Sequence, residues 1–139
     1  MPDPCPTATV TASTLATTVY TLGDASLTTT IPLFTVSPSF CIDAYDIQVT
    51  NASPAALLGQ VTTSNSARTF TVAYSIDASI VGTAKIKVSP KKDGVVIAGA
   101  EVEYDLQVID PCATATITHT SLATTVYTLG DPLLTTTIP

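Results

Sequence analysis

Apolar and polar side chains alternate with a period of two along several short stretches of the chain, the pattern of half-buried β-strands. Thr7, Thr9 and Thr11 alternate with Ala8, Val10 and Ala12. Thr17 to Leu22 forms a second expected strand, closed by a turn at Gly23-Asp24. Leu27 to Val36 forms a third, and its inward parity shifts around Pro32, which predicts a bulge or an edge kink there. Ala44 to Thr50 turns Tyr45, Ile47 and Val49 to one side and Asp46 and Gln48 to the other. Leu57 to Val61 reads as a short, weak strand. Thr69 to Ile76 is expected to bury Phe70, Val72, Tyr74 and Ile76. Thr83 to Val88 buries Ala84, Ile86 and Val88 and leaves Lys85 and Lys87 outside. Lys91-Lys92-Asp93-Gly94 has the chemistry of a hairpin turn. The last run, Val95 to Val108, buries Val102, Tyr104, Leu106 and Val108, so its outer acids Glu101, Glu103 and Asp105 are placed to face the two lysines.

A long internal repeat overlies this pattern. Asp3-Pro4-Cys5 through Ile31-Pro32 returns 107 positions later as Asp110-Pro111-Cys112 through Ile138-Pro139, with 23 identities over thirty aligned positions. Both copies contain LATTVYTLGD and both end in LTTTIP. The period is too long for a solenoid coil and matches a complete small domain. Residues 1–109 are therefore expected to form one full repeat. Residues 110–139 are expected to be the first strands of the next, either free or swapped onto the first domain or onto a neighbouring molecule.

Composition supports strands over helices. Of the 139 residues, 45% are hydrophobic and only 12% charged, which is enough apolar material for a core. Threonine, β-branched and stiff at χ1, dominates the polar positions. Ten scattered prolines interrupt any long helix. The net charge of −6 disfavours nucleic acid and anionic membranes as partners, and all five basic residues lie between Arg68 and Lys92. No apolar run approaches the length that spans a bilayer, so no membrane insertion is expected of this segment. Met1 ahead of Pro2-Asp3-Pro4-Cys5 reads as a start placed on an internal piece, with no signal peptide.

Eight short strands with turn signals between them, within about 107 residues, point to an all-β, antiparallel β-sandwich of seven to eight strands. In strand number, domain length and tandem arrangement the chain resembles the immunoglobulin-like and cadherin-like repeats of large cell-surface and extracellular proteins. The Cys…Trp…Cys signature of antibody domains is missing, since there is no Trp, and so are the acidic linker motifs of cadherins. No functional residue is carried over from either family.

Each full repeat owns two cysteines, because Cys5 and Cys112 are equivalent positions and Cys41 stands between them. An even count suits an oxidising compartment. The immunoglobulin-like topology puts the start of the first strand and the loop after the second core strand at one end, which implies a Cys5–Cys41 bridge and a free Cys112. The alternative is Cys41–Cys112, with residues 113–139 folded back in place of 6–32. Three free thiols remain the third possibility.

Chemistry-bearing motifs are sparse. The single histidine, His119, stands where the first copy has Ala12, and reads as an exposed strand residue. No Ser/His/Asp set, CxxC, HExxH or phosphate-cradling loop is present. Calcium is the one cofactor left open, since Asp24, Asp43, Asp46, Asp77, Asp93 and Asp110 lie near turns, but none shows the dense alternating spacing of an oxygen cage. Asn51-Ala52-Ser53 is a sequon for N-glycosylation, followed directly by Pro54. The Thr7/Thr9/Thr11 and Thr114/Thr116/Thr118 runs could match an ordered surface only if stacked on several strands. The expectation is a non-enzymatic structural or adhesive repeat, extracellular or on a cell surface, whose partners are neighbouring repeats or copies of itself. The second reading is a module that binds a carbohydrate or a protein.

Overall fold

The computed structural model describes all 139 residues. Ten short strands form: β1 (Thr9–Thr11), β2 (Thr18–Thr21), β3 (Leu27–Thr30), β4 (Thr35–Ser37), β5 (Ala44–Ser53), β6 (Val61–Ser64), β7 (Thr69–Val72), β8 (Gly82–Lys92), β9 (Val95–Val96) and β10 (Val102–Ile109). They make a larger sheet in the order β2-β10-β8-β5, with β9 paired to β8, a smaller sheet β3-β7-β6, and a two-stranded ribbon β1-β4. The two main sheets close over one core, so the all-β sandwich expected from the alternation is the architecture found.

The core follows from the strand parity. Tyr104, Leu106 and Val108 of β10, Ala84, Ile86 and Val88 of β8, and Tyr45 and Ile47 of β5 are buried from one sheet. Phe70 and Val72 of β7 and Val61 of β6 meet them from the other, with Leu57 and Ile80 closing one end. On the outer face Lys85 pairs with Asp105 directly across the strands, and Lys87 reaches Glu101 at 3.1 Å. Asp93 (φ 51°) and Gly94 (φ 78°) both take the left-handed backbone that a two-residue hairpin between β8 and β9 requires.

Several expectations are corrected. Two of the eight expected runs break in two, which gives ten strands. The run 27–36, expected as one strand kinked or bulged near Pro32, breaks there into β3 in the smaller sheet and β4 in the ribbon. The run 95–108 splits because Gly99 turns with φ 76°, and β10 begins only at Val102. Residues 55–60 form a 3-10 turn, so the expected 57–61 strand starts only at Val61. Strand β7 ends at Val72, and Tyr74 and Ile76 are exposed. There the backbone leaves the sheet to make other bonds: Ser75 N donates to the Tyr20 hydroxyl at 3.0 Å, and Gly23 N donates to Ser75 O at 2.9 Å. The sandwich is also not wholly antiparallel, since β2 runs parallel to β10, with Thr18 opposite Leu106 and Thr21 opposite Ile109.

The strand directions define two ends. At the proximal end lie Cys41, the start of β5 and the β8–β9 hairpin, because Ala44 pairs with Lys91 and Lys92 with Val95. At the distal end lie the close of β2, the start of β8 and the close of β10, because Val108 pairs with Gly82 and Ile109 with Thr21. The outer edge of β5 does not stand bare. Ile47 N donates to Asn65 Oδ1 at 2.8 Å, and Asn65 Nδ2 donates to Asp46 Oδ1 at 3.2 Å.

Candidate functional site

The features that bear on function sit at the two ends and in the second copy of the repeat. At the proximal end, Asp3 Oδ1 accepts a bond from Cys5 N at 2.9 Å and opens a 3-10 turn at Cys5–Thr7. Cys5 is bridged to the fully buried Cys41, with their Cα atoms 5.3 Å apart. A recess of about 390 Å³ lies beside the bridge, lined by Asp3, Pro6, Lys92, Val95 and Ala98 among others. Asp43 anchors the adjacent hairpin: its carboxylate accepts from Asp93 N at 2.9 Å and lies 3.4 Å from Lys92 Nζ. The backbone amide of Asp93 is the main reason its carboxyl is held below the ordinary value of 3.8, with Lys92 acting in the same direction.

At the distal end one tyrosine ties three segments together. The Tyr20 hydroxyl donates to Asp24 O at 2.8 Å and accepts from Ser75 N. Asp77 accepts from Ser79 N at 2.8 Å, which lowers its carboxyl below 3.8. Gly82 allows β5 to approach, since a Cβ there would collide with the Ser53 carbonyl oxygen. Between the ends, the buried Tyr104 hydroxyl donates to Ser13 O at 2.6 Å, and the Ser13 hydroxyl donates to Pro32 O at 3.0 Å. Burial is the principal cause that pushes the Tyr104 phenol above 10.0.

The second copy begins at Asp110, one residue beyond β10. It reproduces the local turns of the first. Asp110 Oδ1 accepts from Cys112 N at 2.8 Å ahead of a 3-10 turn at Pro111–Thr114, and the Tyr127 hydroxyl donates to Asp131 O at 2.9 Å. It reproduces none of the strands. Residues 115–139 form no ladder, and Ile117, Leu122, Val126, Leu129, Leu133 and Ile138 are exposed.

Cys112 is a free, exposed thiol. The Cys41–Cys112 alternative fails on geometry. Cys112 lies three residues past the distal end of β10, a reach of about 10 Å at most. Cys41 lies at the proximal end, beyond the whole length of that strand, which is about 26 Å. In this structure residues 6–32 hold their own places in the domain and residues 115–139 join no sheet.

The other candidates are placed as follows. Asn51 is exposed, with φ 50°, at the irregularity of β5 between Thr50 and Ser53. His119 is exposed in the second copy. No group of three or more His, Cys, Asp or Glu side chains is gathered closely enough to hold a metal ion; Asp43 and Asp93 meet at the hairpin, and the other named aspartates are not brought into one cluster with them. Thr9 and Thr11 are exposed on a strand of only three residues, and Thr116 and Thr118 are on no strand. Sequence reasoning missed an open groove of about 770 Å³ at the β5 edge, lined by Leu33, Phe34, Ile42, Tyr45, Asn65 and Arg68. Phe34 and Tyr45 meet there edge to face, 5.4 Å between centroids. The one signal for it was Arg68, the single arginine, whose Nη1 donates to Ile31 O at 2.9 Å. It missed the Tyr20 anchor too, although that tyrosine recurs at the same place in both copies.

No helix is long and apolar enough to cross a membrane. Among known proteins, no family model matches the chain and no curated protein matches it.

Proposed function

We propose that this chain is a structural or adhesive repeat of an extracellular or cell-surface tandem array, a tension-carrying spacer in which each sandwich adds a fixed length. One observation carries the reading. The chain enters the sandwich at one end, leaves it at the other, and begins its next copy immediately. Units joined in this way stack lengthwise, each adding about 36 Å if the eleven-residue β8 sets the long dimension. A disulfide in a domain of this size fits an oxidising compartment. The exposed thiol and the apolar side chains of residues 115–139 fit a segment whose partners are the remaining strands of a following repeat or a further copy of the chain.

Pulling the chain between its termini tests this reading. A spacer that carries tension unfolds in one discrete step at a force well above that which opens a zippered hairpin. Smooth extension at low force would refute it.

The groove beside Phe34, Tyr45 and Arg68 favours a second reading, a module that binds a carbohydrate or a protein segment. Its rim carries the exposed Leu33 beside the polar side chains of Asn65 and Arg68, and an apolar recess with a few polar groups suits such a ligand. Saturable glycan binding that is lost in Leu33→Asp, at an exposed side chain of the groove, but kept in the tail variant Tyr127→Ala would move the assignment to that reading.

A further inference from the structure

We infer that the Cys5–Cys41 bridge is a redox-controlled switch of the path that tension takes through the sandwich, and hence of how far and how easily the unit stretches. The inference extends the tension-carrying reading, but it stands on covalent topology and strand register alone.

With the bridge closed, tension applied at the N-terminus crosses from Cys5 to Cys41 through the sulfurs. The 36 residue steps between them form a closed loop that cannot lengthen. The β1–β4 ribbon and strands β2 and β3 all lie inside that loop. Tension therefore enters the larger sheet at the start of β5 and leaves it at the close of β10. Both strands run from the proximal to the distal end, and both pair with the antiparallel β8 between them. Strand β5 is drawn out at its proximal terminus and β10 at its distal terminus, so both ladders are loaded along the strand axis. The two ladders hold eight and seven registered pairs, and the pairs of each share the load at once.

A dithiol reductant opens the bridge. Its thiolate attacks one sulfur and then closes on itself as a cyclic disulfide, leaving Cys5 and Cys41 as two protonated thiols. Tension then enters at β1. The first ladders in its way are β1–β4, with three pairs, and β2–β10, with four. These short ladders yield before the long ones, and the residues between Cys5 and Cys41 are released. The freed chain adds roughly 120–130 Å of contour length at about 3.3–3.6 Å per residue.

Single-molecule force spectroscopy on the full 139-residue chain, held by its two termini, tests the switch. The oxidised chain is expected to show one main event whose contour gain covers residues 41–109 alone. Under reductant the total gain grows by roughly 120–130 Å, and an earlier event appears at lower force. Cys5→Ser and Cys41→Ser should each give the reduced pattern without reductant, and Cys112→Ser should give the oxidised one. Equal contour gains in the two redox states overturn the inference. Absence of any event in the reduced chain overturns it as well, because the β2–β10 ladder would then not hold without the bridge. A short contour gain reached at low force leaves the switch standing and refutes the tension-carrying function instead.

Discussion

Residues 3–32 and residues 110–139 are nearly the same sequence in two different circumstances. In the first copy Tyr20 is 1% exposed, and its neighbours form strands paired to β10, β7 and β4. In the second, the equivalent Tyr127 is 52% exposed and no strand forms. What survives without a partner is local. The Asp-Pro-Cys turn closes in both copies, and so does the tyrosine-to-aspartate bond, at 2.8 Å in one and 2.9 Å in the other. A turn satisfies itself within a few residues, whereas a strand needs a second strand to accept its backbone bonds and a facing sheet to cover its side chains. The difference separates what the sequence encodes nearby from what the 33–109 body supplies.

The sharpest test of that contrast is paired substitution at the two tyrosines. Tyr20→Ala should cost about 3–5 kcal/mol, as aromatic truncations in cores do. Tyr127→Ala should stay within about 0.5 kcal/mol. Urea unfolding of both variants measures the difference, and equal losses would mean that the second copy is also packed. Next in size is the bridge. Replacing Cys5 and Cys41 together by serine should remove roughly 3–4 kcal/mol, since the bridge closes a loop of 36 residue steps. Cys112→Ser should leave the urea midpoint where it was.

A smaller effect isolates one hydroxyl. Tyr20→Phe leaves the buried Ser75 amide without its acceptor and should cost about 1–3 kcal/mol. Hydrogen exchange at Ser75 should quicken in that variant and not in Tyr127→Phe. The smallest effect is electrostatic and belongs to the body alone. Asp43 and Asp77 have folded pKa values below 3.8 because backbone amides bond their charged forms. Each therefore adds stability that is present above about pH 3.8 and is lost as pH falls through the folded pKa. The Asp43→Asn/Asp77→Asn double variant should show a shallower loss of stability on acidification below about pH 4. An unchanged acid limb would remove both bonds from the account.

Strand positions and core parity were readable because alternation reports burial directly. Tyr45, Ile47, Phe70, Val72, Ala84, Ile86, Leu106 and Val108 all point inward as their spacing requires. The failures have a common cause. Tyr74 and Ile76 continue the alternation of β7, yet the backbone there is drawn away by Tyr20 and Gly23, which stand some fifty residues earlier in the sequence. Apolar spacing at Leu57–Val61 likewise gave no warning of the 3-10 turn that seats Leu57 in the core. The parallel β2–β10 pair and the groove at Phe34, Tyr45 and Arg68 arise where distant segments meet, and no local pattern records such meetings. Cys5 and Cys41 could be matched only through an assumed topology, since spacing alone does not choose among three cysteines.

The side chain of Asn65, laid along the flank of β5, has a consequence at high protein concentration. An uncovered strand flank invites the same flank of an adjacent molecule to zip onto it, and crowding multiplies such encounters. With the amide of Ile47 already occupied, that flank offers a second molecule no continuous row of donors to graft onto.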